Sequence, residues 1–260
     1  MALLPTAPAP RSVLAADGTP LATYDEGDPE APVVLAVHGF SSSAWANWWA
    51  TGWVRELTRA GYRVVAFDQR GHGASGKPDE PVAYSMAALV DDVRVVLDTY
   101  LLSEVSYVGY SLGARVGWHA ALELPHVLVR AVLGGVPDGQ PLTRFDIAAA
   151  RAEVAGGPRV EDRLTRAHLD MAGRIRGNDL GALVSLVEGM RHGPQPDPAH
   201  PPELPVLFAT GELDPILDGS RALATATPGS EFFVIPGRNH FNAPTSGAFR
   251  DRALAFLAPA

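Results

Sequence analysis

The chain has no cysteine among its 260 residues. That absence removes disulfides, thiolate-held metals and a cysteine nucleophile together, and leaves the redox compartment open. A basic opening is also missing. No Lys or Arg precedes Arg11, and three prolines interrupt residues 1–10, where an export signal needs a charged start and an apolar stretch. The longest apolar run near the front, Val33–Val37, falls far short of the roughly 20 residues that cross a bilayer. A cytoplasmic protein without a membrane span is therefore the expectation. Charge is sparse and mostly negative: 19% of residues are charged and the formal net charge is -8. Phosphate-backbone affinity rests on clustered Lys and Arg, so nucleic acid is not an expected partner.

What is present is apolar: 47% of the chain is hydrophobic, enough for one well-buried domain with an insertion. Short apolar runs at 33–37, 64–67, 105–108, 131–133, 206–209 and 232–235 have the composition of buried parallel strands. Helical patterns lie between them at 48–60, 86–100 behind a Ser85 cap, 112–123, 221–226 and 249–257. This alternation predicts a doubly wound α/β sheet. Residues 12–24 can add one or two antiparallel edge strands, with Asp17-Gly18 at the turn. Between Asp138 and Glu203 the alternation stops. Helical patterns dominate there, one of them behind an Asn178 cap, and the segment ends in a proline-rich stretch suited to a stiff return to the sheet.

Gly109-Tyr110-Ser111-Leu112-Gly113 has the form Gly-x-Ser-x-Gly, directly after a predicted strand and before a predicted helix. In that context small neighbours permit a sharp turn that lifts the serine hydroxyl out of the sheet beside a helix N-terminus. A hydroxyl is a weak nucleophile at neutral pH and needs a base, for which histidine has the matching pKa. Of eight histidines, His240 follows the last predicted strand and so reaches the same sheet edge as Ser111. His119 falls within a helix; His126, His168, His192 and His200 read as surface or packing residues. A carboxylate must orient the base. Asp214 completes the chain order Ser, Asp, His, with Asp138 and Glu212 as alternatives. The oxyanion of an acyl-transfer intermediate needs two backbone donors. Leu112 N–H is one candidate and Phe40 N–H, in His38-Gly39-Phe40, the other. His38 reads as structural, as does His72 in the glycine-rich Asp68 to Gly76 loop, held by contacts of Asp68 and Arg70.

Together these residues resemble the α/β-hydrolase superfamily, in its cap-bearing branch, over about 33–257. The resemblance implies a mostly parallel, doubly wound sheet of about eight strands flanked by helices, with residues 1–137 and 204–260 as the core and 138–203 as a helical lid. It implies that His38-Gly39-Phe40 is the oxyanion loop and Ser111 the elbow serine. Haloalkane dehalogenases and epoxide hydrolases of this fold carry aspartate at the elbow, so Ser111 argues against both. Trp45-Ala46-Asn47-Trp48-Trp49 is similar to a segment of carbon–carbon bond hydrolases, although Tyr110 and Phe241 depart from that pattern. Tyr110, Phe241 and Trp45 are candidate pocket residues. The leading expectation is cofactor-free hydrolysis of a small, apolar carboxylic ester or lactone through acyl-Ser111. Alternatives are cleavage of a vinylogous diketone, cofactor-free haloperoxidase or perhydrolase activity, and a hydrolase-fold ligand receptor. Oligomeric state is not legible.

Overall fold

A computed structural model describes residues 8–136 and 143–258. Most of the proline-bearing N-terminal segment, and Asp138, lie outside the described residues. Eight strands form one sheet: β1 (Arg11–Leu14), β2 (Pro20–Glu26), β3 (Val33–Val37), β4 (Arg63–Phe67), β5 (Val105–Tyr110), β6 (Leu128–Gly134), β7 (Val206–Gly211) and β8 (Glu231–Ile235). Their spatial order is β1-β2-β4-β3-β5-β6-β7-β8. β2 pairs antiparallel with β1 and β4, and the other neighbours are parallel. Asp17 and Gly18 make the turn between β1 and β2, with Gly18 at φ 83°.

The central strands are apolar at most positions because both faces are covered. Alternate residues fall into two clusters. Leu35, Val65, Tyr107, Leu133 and Phe208 pack with α2 (Met86–Thr99) and α3 (Leu112–Glu123). Val34, Ala66, Val108, Val132 and Leu207 pack with α1 (Trp53–Arg59) and α8 (Gly247–Leu257). α7 (Leu217–Ala226) lies between β7 and β8. From β3 the chain moves outward to β4 and then returns to β5 on the other side. Strand order therefore reverses between β3 and β5, and their carboxyl ends open a crevice where loops meet.

Between β6 and β7 the described chain forms α4 (Ile147–Val154), α5 (Arg163–Ala172) and α6 (Leu180–Met190), with no strand among the described residues. Two sequence expectations shift. The helix expected over 48–60 is a π-helical turn, Trp45–Trp49, followed by α1, because Gly52 at φ 85° breaks the run. The cap of α6 is Asp179, whose carboxylate accepts from Ala182 N at 2.8 Å. Asn178 instead reaches the core: its Oδ1 accepts from Gly73 N at 2.7 Å, and its Nδ2 donates to the oxygens of Ser41 and Ser42 at 3.4 Å. Among the described residues no helix is long and apolar enough to cross a membrane.

Candidate active site

Ser111 occupies the turn from β5 to α3 at φ 52°, ψ -112°, a left-handed conformation that costs a non-glycine residue energy. Its own N–H donates to Gly134 O at 2.8 Å, tying the turn to β6. The flanking glycines are packing requirements. A Cβ on Gly113 would stand 2.0 Å from Val37 O, and one on Gly109 would stand 2.5 Å from Gly113 O. No side chain fits between this helix start and the neighbouring backbone.

Asp214 lies in the turn after β7, its carboxylate almost fully buried, with Oδ1 accepting from Ile216 N at 3.2 Å. His240 lies in the loop after β8. The two loops are stitched together by Leu213 N to Arg238 O at 2.8 Å and Glu212 N to Ile235 O at 3.0 Å. His240 Nδ1 is 2.7 Å from Asp214 Oδ2, and His240 Nε2 is 2.8 Å from Ser111 Oγ. A carboxylate only accepts, so Nδ1 carries the proton and Nε2 is free to accept from the serine hydroxyl. Glu212 points elsewhere, accepting from Gly237 N at 2.8 Å.

The loop after β3 crosses close above the serine: a Cβ on Gly39 would come within 3.2 Å of both Ser111 Cβ and Tyr110 O. Most amides here are occupied. Gly39 N donates to Asn47 Oδ1 at 3.2 Å, Ser41 N to His72 Nε2 at 3.1 Å and Ser42 N to Gly39 O at 3.3 Å. Among the described residues, the amides of Phe40 and Leu112 donate to nothing. His38 and His72 are fully buried, their pKa values lowered by burial, and each receives a backbone N–H on Nε2. Both hold loops in place. Asp68 accepts from Ala44 N and Ala74 N, at 2.8 Å each, and Arg70 grips Asp92 with two bonds of 2.6 and 2.7 Å.

The family described as "alpha/beta hydrolase fold" matches residues 32–150. That match takes in just under half of the chain, and the sheet described above is that of the α/β-hydrolase fold. The chain is similar to an epoxide hydrolase B of Mycobacterium tuberculosis, 37% identical over 148 residues. That match takes in 56% of this chain but only 38% of the relative's own length. Among solved structures, a hydrolase from Pseudomonas aeruginosa aligns at TM-score 0.75 and 25% identity, over 96% of this chain and 98% of the other. An enol-lactonase from Burkholderia xenovorans shares the fold at TM-score 0.72 and 21% identity, over 95% and 99%.

Two lobes open on either side of Ser111. One, of about 690 Å³, runs along the start of α3 past Leu112, Arg115, Leu164 and Ile216. The other, of about 670 Å³, passes Asn47, Thr51, Tyr110, Met171 and Thr245. Phe40, His168, His240 and Phe241 border both. Tyr110 and Phe241 are thus beside the serine. Trp45 is not: the π-helical turn presents Ala46 and Asn47 to the lobe, and Trp45 faces an outer groove with Pro10 and Arg174. Trp48, Trp49 and Trp53 pack in the core.

Sequence reasoning missed two residues here. His168, on α5, reads from sequence as a surface or packing residue. It lies instead between the lobes, with ring centroids 5.1 Å from Phe40 and 5.5 Å from Phe241. Burial first, and His240 second, push its pKa down to about 4. Leu164, His168, Met171 and Ile175 recur at helical spacing, a stripe that would have revealed the lobe-facing side. The second is Arg115, four residues past the serine. Among the described residues no group of three or more His, Asp or Glu side chains is arranged to hold a metal ion.

Proposed function

We propose that this protein hydrolyses a small carboxylic ester or lactone through an acyl-Ser111 intermediate. The carrying observation is the unbroken line of hydrogen bonds from Asp214 Oδ2 through His240 to Ser111 Oγ. In this reading His240 Nε2 takes the hydroxyl proton as Oγ attacks the carbonyl carbon, and Asp214 stabilises the imidazolium that forms. The free amides of Phe40 and Leu112 receive the oxyanion, each worth roughly 2.7 to 4 kcal/mol in the transition state. His240 returns its proton to the leaving alkoxide, giving the alcohol. Water, activated by the same base, then attacks the acyl group, releases the acid and restores Ser111. Residues 138–203 act as the lid, and α5 supplies the pocket stripe.

Serine, rather than a carboxylate, at the elbow favours acyl chemistry over epoxide opening. A carboxylate that opens an epoxide forms an ester, which water can cleave at its carbonyl. A serine hydroxyl would form an alkyl ether with no carbonyl for water to attack, and the oxyanion donors would have nothing to bind. A panel of short-chain esters, lactones, vinylogous diketones and a styrene oxide tests the reading. Multiple turnover of esters or lactones, well above the others, is expected; preferential turnover of the epoxide or diketone would sink it.

A further inference from the structure

Arg115 lies one helical turn beyond Ser111 on α3, is 1% exposed, and lines the lobe that runs from the serine along that helix. Its Nη2 donates to Pro194 O at 2.7 Å. Its Nε and Nη1 are buried without a hydrogen-bond partner. No carboxylate pairs with it among the described residues, and burial alone pushes its pKa down to about 10. Among the described residues the other buried arginine, Arg70, is matched by Asp92 and Asp17, and the half-buried Arg63 by Asp25. A guanidinium withdrawn from water with donors unused and no counter-charge is strongly unfavourable, and the natural remedy is an incoming anion. Asp214, an acid that borders the same lobe, is engaged by His240 and Ile216 N. Arg144, exposed at the lobe's edge, adds a second positive charge.

We propose that this lobe takes an acyl group ending in a carboxylate, held by Arg115. The substrates are then half-esters of short dicarboxylic acids, and the proposal rests on the acyl-Ser111 reading. Four residues of α-helix rise about 6 Å, so a short chain attached at Ser111 Oγ reaches the guanidinium. Planar donors suit a carboxylate bidentately, which fixes the acyl chain and aims the ester carbonyl at Ser111. The chemistry balances as for a simple ester: the alcohol leaves with the proton from His240, and water converts the acyl-enzyme to the free dicarboxylate and Ser111 O–H.

The test compares methyl hydrogen glutarate with methyl pentanoate, which differ by the terminal carboxylate, in a pH-stat assay. Glutarate binding to Ser111→Ala is measured by calorimetry, and its inhibition of pentanoate hydrolysis in the wild type is measured alongside. The wild type is expected to favour the half-ester in kcat/KM by roughly tenfold to a hundredfold, mostly through KM. Arg115→Met should bring that ratio to one or below, and Arg115→Lys should give an intermediate ratio. Glutarate should bind Ser111→Ala and compete with the neutral ester, which decides the matter even if Arg115→Met fails to fold. Turnover of the pentanoate ester without half-ester preference or glutarate binding overturns the carboxylate site and leaves ester hydrolysis standing. Glutarate binding without turnover of either ester overturns the hydrolytic reading and supports the anion site.

Discussion

Tyr110, the residue immediately before Ser111, donates its hydroxyl proton to the main-chain oxygen of His240 at 2.5 Å. The end of β5 thus fixes the loop that carries His240 as well as the elbow that carries Ser111. Burial, with Asp214 nearby, raises the Tyr110 pKa well above its ordinary value, so the phenol remains a donor at working pH.

Removing that hydroxyl tests its positioning role. Tyr110→Phe should lower kcat on a short ester by about tenfold, the worth of one buried hydrogen bond, with KM changed less. Steady-state kinetics check this, and an unchanged kcat would show that His240 is held by other contacts.

Two glycines beside Ser111 should fail in different ways. A Cβ on Gly113 meets backbone at 2.0 Å, so Gly113→Ala should destabilise the fold by about 3 kcal/mol or more, seen as a lowered urea midpoint. A Cβ on Gly39 meets its neighbours at 3.2 Å, a contact that small shifts relieve. Gly39→Ala should keep most stability but displace the Phe40 amide, lowering kcat by roughly 10²-fold or more. Equal loss of stability in both variants would contradict this division.

The alternation of strands and helices was legible because β3, β5, β6 and β7 are mostly apolar and each is followed closely by glycine. Ser111, Asp214 and His240 could be placed at one edge because each follows a strand. What sequence alone misplaced depends on local rotation. Gly52 splits the first helix, the π-helical turn before it leaves Trp45 on an outer groove, and Asp179 takes the cap that Asn178 leaves in order to bind the core. Arg115 was overlooked because an arginine inside a helical pattern looks the same whether its face meets solvent or a lobe, whereas His168 had a signal, the stripe of Leu164, Met171 and Ile175 on its own face.

Acid should weaken the fold through its buried histidines. Burial is the main cause that pushes His119 and His168 from 6.5 down to about 4. Between those values the unfolded chain binds protons that the folded chain does not, so stability falls as pH drops from about 6.5 toward 4 and is retained above that window. Each group contributes a slope of about 1 kcal/mol per pH unit inside it. His119→Leu should flatten the fall of the urea midpoint between pH 7 and pH 5. An identical pH dependence in both proteins would show that His119 is not held neutral.

Asn178 joins the 138–203 segment to the loop above the serine. Asn178→Ala should raise KM several-fold, since this segment carries the pocket stripe of α5, and lower Tm by a few degrees. Thermal melts and substrate titration check both effects.

The central claim concerns Ser111 itself, and covalent labelling tests it most directly. After treatment with a serine-directed phosphonate ester, mass mapping should find one adduct on the peptide containing Ser111. Loss of ester hydrolysis should track labelling one to one, and Ser111→Ala should lose about 10⁶-fold in kcat and remain unlabelled. Full activity in Ser111→Ala, or a label on another residue that abolishes activity while Ser111 stays free, would contradict the account.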